Sequence, residues 1–254
     1  MHRELLQIGG LTIYSYGVFL AIGFITATVV ARQRFKEIYR DPDIILDFVL
    51  AAVVGGIIGA RLFYVIGHWS EFAAHPGEIL KFNMDGLVFY GGLVLGLALT
   101  IAVARWKHVR FWVTMDLAGL CVPLALAIGR VGCFLNGCCY GKETSLFWGV
   151  HYPVSLGLTG ARHPTQLYEL VLDLTLFGLL WWKRDAFARD GTLFWAFVMG
   201  YGAIRFTVEI FREHAQANAG LGFQAASLAM VAVAGLVLLF RYRVLPARGS
   251  ERLQ

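Results

Sequence analysis

Long apolar segments without charged residues are the feature that most limits what this chain can fold into. The segment from Leu11 to Ala31 is 21 residues long and carries no charge. At a rise of about 1.5 Å per residue, it is long enough to cross the roughly 30 Å of hydrocarbon in a bilayer. Six further apolar segments follow it. Together they predict seven transmembrane helices, at residues 11–31, 44–67, 86–104, 111–129, 164–182, 191–211 and 221–240.

The composition agrees with a membrane protein and argues against a soluble one. Of the 254 residues, 58% are hydrophobic and only 15% are charged, whereas soluble domains average about 25% charged residues. The net charge of +5 does not indicate nucleic-acid binding, because the basic residues lie in short loops between apolar segments and not on one arm. We therefore predict an all-α, polytopic membrane protein that forms a single integral membrane domain over residues 1–254.

The placement of basic residues predicts the orientation of the helices. Of the 22 Lys and Arg residues, 14 lie in the segments 32–40, 105–110, 183–190 and 241–254, which the seven predicted helices put on one side of the membrane. Basic loops are retained in the cytoplasm. The N-terminus is therefore expected outside and the C-terminus in the cytoplasm.

Polar side chains within the apolar segments sort toward the outer half of the membrane. Ionisable residues inside a membrane are costly and usually mark functional cavities. We therefore predict a polar cavity in the outer leaflet, with Asp47, Asp116 and Asp173 as exceptions nearer the inner side or the middle. The outer set comprises Tyr14, Tyr16, Arg61, Tyr64, Tyr90, Arg130, His163, Gln166, Tyr168, Glu169, Arg205, Glu209 and Arg212.

The stretch from Ala125 to Lys142, ALAIGRVGCFLNGCCYGK, combines the end of an apolar segment with an arginine and four glycines. It predicts that the helix ends near Gly129 and that a glycine-rich turn begins at Arg130. Irregular backbone at membrane depth is tolerated only where it is buried in protein or lines a polar cavity. Arg130 is therefore the first candidate for substrate contact.

Arg205, Glu209 and Arg212 are spaced at i, i+4 and i+7, which predicts one helix face. One interpretation is a structural ladder that neutralises itself inside the bundle. The other is that Glu209 holds two guanidinium groups and leaves one free for an anion. Arg130 and Arg205 on different helices suit a phosphate, because a planar guanidinium group binds phosphate oxygens bidentately. In an outer-leaflet cavity that phosphate belongs to a phospholipid.

Two other features leave alternatives open. His163 precedes Pro164 at the start of a predicted helix, where it is either a general base or, as the sequence favours, a hydrogen-bond partner of a backbone carbonyl. Cys133, Cys138 and Cys139 lack the C-x₂-C pairs of zinc sites. We favour small side chains that fill a tight turn, with an incidental or redox-sensitive disulfide as the minor alternative. No metal and no cofactor is expected, and the chain contains no G-x-S-x-G, P-loop or H-E-x-x-H motif.

Six motifs in order along the chain form a recognisable pattern. They are Tyr16-Gly17, residues 59–65 (GARLFYV), 86–92 (GLVFYGG), 129–141 (GRVGCFLNGCCYG), 162–169 (RHPTQLYE) and 205–212 (RFTVEIFR). Together these motifs resemble those of the bacterial prolipoprotein diacylglyceryl transferases. The resemblance implies that the lipobox cysteine thiol of an exported precursor attacks the glyceryl carbon of phosphatidylglycerol. A thioether forms and glycerol phosphate leaves.

The resemblance also implies roles for individual residues. Arg130 and Arg205 are expected to bind the phosphate and stabilise the charge that develops on the leaving group. The thiol base is unassigned, because Tyr90 stands where many members have histidine. A thiol has a pKa of ~8.5 and a tyrosine ~10. Three alternatives for activating the thiol follow: Tyr90 ionised beside an arginine, His163 acting in its place, or the arginine field alone lowering the thiol pKa. The expected substrate-binding and supporting residues are Arg130, Tyr16, Asn136, Gly141, Glu209, Arg212 and Arg61.

Two further departures from the family pattern and one alternative function remain. Cys133 and Cys138 stand where Asn and Glu are often found, and His214-Ala215 where Pro-Asp is often found. The alternative is an inactive or repurposed seven-helix protein that binds or transports an anionic lipid. A transporter typically shows inverted repeats and polar groups near the midplane, and the sequence has neither. We therefore expect a multi-pass transferase in the bacterial cytoplasmic membrane, its active site facing the outer leaflet, with phosphatidylglycerol and prolipoprotein signal peptides as partners.

Overall fold

The structure, a computed structural model, describes residues 4–8, 11–74, 76–79, 88–153, 157–187, 189–213 and 217–244. Within these residues the chain is mostly helical. The helices are α1 (Ser15–Lys36), α2 (Ile44–Gly67), α3 (Trp69–Ala74), α4 (Phe89–Trp106), α5 (Phe111–Asn136), α6 (Thr165–Lys183), α7 (Thr192–Phe211) and α8 (Ala217–Val244), with a 3₁₀ turn at Pro76–Glu78. Two small antiparallel sheets pair β1 (Glu4–Ile8) with β2 (Leu11–Tyr14) and β3 (Val150–His151) with β4 (Ala161–Arg162).

Five of the described helices are long and apolar enough to cross a membrane. They are α1, α2, α5, α7 and the Gly220–Arg241 part of α8. Helix α4 is apolar over Tyr90–Trp106 but shorter, and α6 carries Glu169 and Asp173 within its 19 residues. The mostly helical fold and the multi-pass membrane character are confirmed. The count of seven spans and the orientation of the termini stay predictions, and residues 86–87 of the third predicted segment lie outside the described residues.

The first predicted helix begins at the wrong residue. Leu11–Tyr14 form β2 and pair with β1, with Gln7 opposite Thr12 and Leu6 opposite Ile13. The helix begins at Ser15 and continues past Ala31 to Lys36. Threonine, isoleucine and tyrosine favour strands when a partner strand is available, and apolarity alone does not distinguish such a strand from the first turn of a membrane helix.

The predicted end of the fourth helix near Gly129 is also wrong. Helix α5 continues to Asn136, so Arg130 lies within regular helix. The glycines here permit close packing and do not break the helix: a Cβ at Gly132 would lie 3.1 Å from Cα of Tyr16 on α1. The helix ends only at Asn136, and the next residue, Gly137, has a positive φ of 74°, as is common for a glycine that follows a helix.

The described residues form two compact units, one made of Met1–Ala31 with Met115–Gln254 and the other of Arg32–Thr114. The single domain predicted from the sequence stays a prediction. In the second unit α2 and α4 pack closely through glycines, since a Cβ at Gly55 would lie 2.8 Å from Cα of Gly96. Such small-residue contacts are typical of helices in membranes. The core of the first unit contains Leu120, Cys121, Leu176, Leu180, Leu193, Ile204 and Val208.

Asp116 connects α5 to the start of α7 in the first unit. Its two carboxylate oxygens accept hydrogen bonds from the backbone N–H groups of Gly191, at 2.6 Å, and Phe194, at 2.8 Å. A carboxylate at a helix N-terminus satisfies N–H groups that have no partner within the helix. This contact explains a charged residue near one end of an apolar helix, and it holds together the two helices that carry Arg130 and Arg205.

Candidate active site

Three arginines and two glutamates form a cluster in the first unit, which we call the arginine cluster. Arg130 comes from α5, Arg205 and Glu209 from α7, Glu169 from α6, and Arg212 directly follows α7. The arginine side chains are 14–18% exposed and the glutamate side chains 1–2% exposed. The predicted meeting of Arg130, Arg205, Glu209 and Arg212 is therefore present in the structure.

Glu169 contacts all three arginines. Its Oε2 pairs with Nη2 of Arg130, its Oε1 pairs with Nη1 of Arg205, and Nη1 of Arg212 lies 3.6 Å from Oε1. The sequence pattern instead pointed to Glu209 as the residue that holds the arginines. Glu209 does pair with Arg205, with 3.0 Å between Oε2 and Nη2. The central role of Glu169 was missed, because spacing along α7 shows neighbours within that helix and not a partner from α6.

Arg212 lies just outside the helix and not on its face as the spacing predicted. Helix α7 ends at Phe211, and Arg212 has an extended backbone with φ −83° and ψ 144°. It forms an isolated β-bridge with Gly141. Gly141 in turn donates its backbone N–H to the carbonyl of His163 at 2.8 Å. A Cβ at Gly141 would lie 2.7 Å from Cβ of His163, so this position requires glycine for the close approach of the three segments.

The arginine cluster has the properties of an anion site. Three guanidinium groups face two carboxylates, which leaves one positive charge in excess. Among the described residues Arg130 forms an ion pair with Glu169 alone, through Nη2, although a guanidinium group has five N–H donors. The remaining donors of Arg130 suit the oxygens of a phosphate, which are recognised bidentately by arginine.

Asp173 is a further buried acid that the sequence left as an exception. It lies one helical turn beyond Glu169 on α6 and is fully buried. Neither of its oxygens accepts a hydrogen bond from the described residues, and it interacts electrostatically with Arg130 and Arg205. Its protonation state therefore decides whether the site as a whole is neutral or carries the excess positive charge.

Tyr16 and Asn136, both predicted for the site, lie beside the cluster. Tyr16 on α1 packs against Gly132 of α5 and interacts electrostatically with Arg130. Asn136 is the last residue of α5, and its side chain forms a hydrogen bond with Cys138. Both residues approach from the same end of α5 that carries Arg130.

His163 stands at the start of α6 next to two aromatic residues. Its Nδ1 lies 3.0 Å from the hydroxyl of Tyr168, which also accepts a hydrogen bond of 2.8 Å from Nε1 of Trp148. Burial, and then the charge of Lys142, lower the pKa of His163 below its ordinary value, so the imidazole is neutral at pH 7. An open groove of about 510 Å³ lies next to it, lined by Trp148, Pro164, Leu167, Tyr168, Val171 and Leu172.

Arg61 and Tyr90, the other two predicted site residues, belong to the second unit. The Arg61 guanidinium donates to the backbone carbonyls of Glu78, at 2.9 Å, and Ile79, at 3.2 Å. Tyr90 is 65% exposed near the start of α4. Their participation in the site stays a prediction. The departure expected at His214-Ala215 lies outside the described residues.

Comparison with known proteins identifies the family. The family model described as prolipoprotein diacylglyceryl transferase matches residues 3–241. The phosphatidylglycerol--prolipoprotein diacylglyceryl transferase of Bordetella avium is 37% identical over 262 residues, which cover 97% of this chain and 95% of that protein. The protein of the same name from Clostridium tetani is 35% identical, covering 87% of this chain and 89% of its own length. The match thus extends over nearly the whole chain and includes every residue of the arginine cluster. The chain belongs to the prolipoprotein diacylglyceryl transferase family.

Proposed function

We propose that this chain transfers the diacylglyceryl group of phosphatidylglycerol to the lipobox cysteine thiol of prolipoproteins. The main support for this proposal is the arginine cluster, which contains three largely buried guanidinium groups. In this cluster Arg130 has N–H donors that remain available to an anion. The names of the relatives from Bordetella avium and Clostridium tetani state the same reaction for those proteins. Membership of this family favours a transferase over an inactive or repurposed lipid-binding protein.

In the proposed reaction the thiolate sulfur attacks the glyceryl carbon that carries the phosphate. A carbon–sulfur bond forms, the carbon–oxygen bond to phosphate breaks, and glycerol phosphate leaves with the electron pair. Negative charge grows on the phosphate during this step. Arg130 and Arg205 would stabilise it, and Glu169 would hold their guanidinium groups in position before the reaction begins, which avoids reorganisation during it.

The thiol must lose its proton before it can attack. His163 is neutral at pH 7, because burial and Lys142 lower its pKa, and a neutral imidazole can take up that proton. Tyr90 and the arginine field alone are the other candidates. The Tyr90→Phe variant separates them: full activity excludes its hydroxyl from an essential proton transfer, and loss of activity with phosphatidylglycerol binding retained assigns the proton transfer to it.

A site of this kind suits the outer leaflet of the bacterial cytoplasmic membrane. Exported precursors arrive there and phosphatidylglycerol is already present, so both substrates meet without crossing the bilayer. The groove of about 510 Å³ is lined by Tyr168, the neighbour of His163, and offers an apolar surface, as an amphipathic lipid substrate requires.

The test uses purified protein in phosphatidylglycerol vesicles with a lipobox peptide. Mass spectrometry follows the diacylglyceryl mass gain on the peptide cysteine and the release of glycerol phosphate. Both products are expected, and the rate of forming both should fall about 10²–10³-fold with Arg130→Ala. Arg32→Ala is the matched control, because the Arg32 side chain is 43% exposed and, within the described part of the chain, pairs only with the exposed Asp43. Phosphatidylglycerol binding without any mass gain on the peptide contradicts the proposed transfer.

A further inference from the structure

Three cysteine side chains lie together beside the arginine cluster. Cys133 is in the last turn of α5, and Cys138 and Cys139 are in the segment that follows. All three are free thiols, and their sulfur atoms lie within 4.8 Å of one another. Thiolates bind a metal such as zinc at about 2.3 Å, so two sulfurs on one ion are at most about 4.6 Å apart. The three sulfurs are already close to the spacing that a single metal ion requires.

Buried hydrogen bonds from α6 hold this cysteine segment in place. The hydroxyl of Thr165 donates to the carbonyl of Cys139 at 2.6 Å, and Nε2 of Gln166 donates to the carbonyl of Cys138 at 2.6 Å. Thr165 is 2% exposed and Gln166 is 1% exposed. Cys139 has a positive φ of 65°, which is uncommon for a residue other than glycine and persists where the surroundings enforce it.

The electrostatic surroundings favour a negatively charged ligand set. Arg212 and Arg130 both interact with Cys139. The thiolate is the form of cysteine that binds a metal. The site therefore combines three converging sulfurs, a rigid backbone and cationic neighbours.

We propose that Cys133, Cys138 and Cys139 form a binding site for a soft monovalent cation, Cu⁺. Thiolates select soft ions, Cu⁺ and Zn²⁺ among them, but structural Zn²⁺ takes four ligands. Among the described residues no histidine or carboxylate joins the three sulfurs, and three thiolates satisfy Cu⁺. A monovalent ion also leaves the complex negatively charged, beside the one positive charge that the arginine cluster has in excess. The proposal concerns metal binding and does not depend on the transferase activity.

The cysteine spacing in the sequence favoured side chains that merely fill a turn. The pattern C-x₄-C-C lacks the paired ligands of known zinc motifs, and it does not show that the backbone reverses after Asn136. Gly137, with its φ of 74°, makes this reversal and directs Cys138 and Cys139 back toward Cys133. The backbone N–H of Cys138 accordingly donates to the carbonyl of Cys133 at 3.2 Å.

The first test titrates the reduced, full-length protein in detergent with Cu⁺ under anaerobic conditions. The chromophoric chelator bicinchoninate competes for the ion. We expect one Cu⁺ per chain, retained when excess Zn²⁺ is added. The copper K-edge absorption spectrum of the bound ion should show three sulfur neighbours. The assignment would be overturned by binding of less than one equivalent of Cu⁺, by displacement of Cu⁺ by Zn²⁺, or by nitrogen or oxygen neighbours in the spectrum. The spectrum is recorded on the unaltered protein and needs no variant.

Cysteine variants give the second test. Cys133→Ser, Cys138→Ser and Cys139→Ser should each weaken Cu⁺ binding by more than the roughly 10- to 100-fold lost when only a group supporting a ligand is changed. Cys121→Ser is the matched control, since Cys121 is a free, buried cysteine of the same helix that belongs to the apolar core. The affinity of the Cys121→Ser variant for Cu⁺ should be unchanged. Equal affinity in Cys139→Ser and Cys121→Ser contradicts the proposal, and if Cys139→Ser does not fold, the spectrum of the unaltered protein decides.

Discussion

Glu169 forms an ion pair with Arg130 between α6 and α5, with side-chain exposures of only 2% and 15%. The same carboxylate also pairs with Arg205, so one acid from α6 determines how two arginines from different helices are oriented. Charge-assisted hydrogen bonds in a poorly hydrated site are strong and directional. The geometry of the proposed anion site therefore depends on a residue that would not itself contact the anion.

Glu169→Gln tests this dependence. The variant keeps the shape of the side chain and removes its charge, leaving buried arginines without their shared partner. Breaking a buried ion pair costs about 3–5 kcal/mol, so we expect a clear fall in the thermal unfolding temperature and loss of transfer. Glu37→Gln is the control, because Glu37 is 47% exposed in its pair with Arg34 and exposed pairs contribute about 0–1 kcal/mol. Equal unfolding temperatures for the two variants contradict the central role of Glu169.

Arg130 and Arg205 are expected to be irreplaceable even by lysine. Removing one donor to a developing negative charge typically lowers turnover by about 10²–10³-fold, and Arg130→Ala or Arg205→Ala should do the same. Lysine supplies a point charge without the bidentate geometry, so Arg130→Lys and Arg205→Lys should recover little activity. The measurement is the rate of diacylglyceryl transfer to a lipobox peptide at saturating phosphatidylglycerol. Near-normal rates in both lysine variants would remove the bidentate phosphate contact from the mechanism.

Gly141→Ala tests the close approach of the loop after α5 to the start of α6. A Cβ at this position would lie 2.7 Å from Cβ of His163 and 2.8 Å from Cγ2 of Thr165, so the segments must separate and the cluster loses its geometry. We expect a lower unfolding temperature and reduced transfer. Gly178→Ala is the control, because a Cβ there meets no heavy atom of the described residues within 4 Å. Alanine in a helix is favoured over glycine by about 1 kcal/mol, so that variant should be at least as stable.

The sequence was sufficient for the parts of the site that follow from local spacing. The contact of Arg205 with Glu209 follows from one helical turn, and the helical class follows from long apolar segments. Glu169 could not be identified in the same way, because its partners come from α5 and α7 and only tertiary packing brings them together. The position of Arg130 inside α5 was missed for a different reason. Gly129 and Gly132 are compatible with a turn and with close helix packing, and sequence alone does not separate the two.

The protonation of His163 should depend on Lys142. Burial and the Lys142 charge lower the pKa of His163, so Lys142→Met should raise that pKa toward the ordinary value of about 6.5. Because the folded-state pKa is the lower one, the unfolded chain takes up the proton first as pH falls. His163 therefore reduces stability below about pH 6.5 and contributes nothing above it. NMR titration of labelled histidine, assigned with His163→Gln, measures the shift. Lys107→Met is the control, since it removes the same charge from a lysine that pairs with Asp47. An unchanged or lower pKa of His163 in Lys142→Met contradicts the prediction.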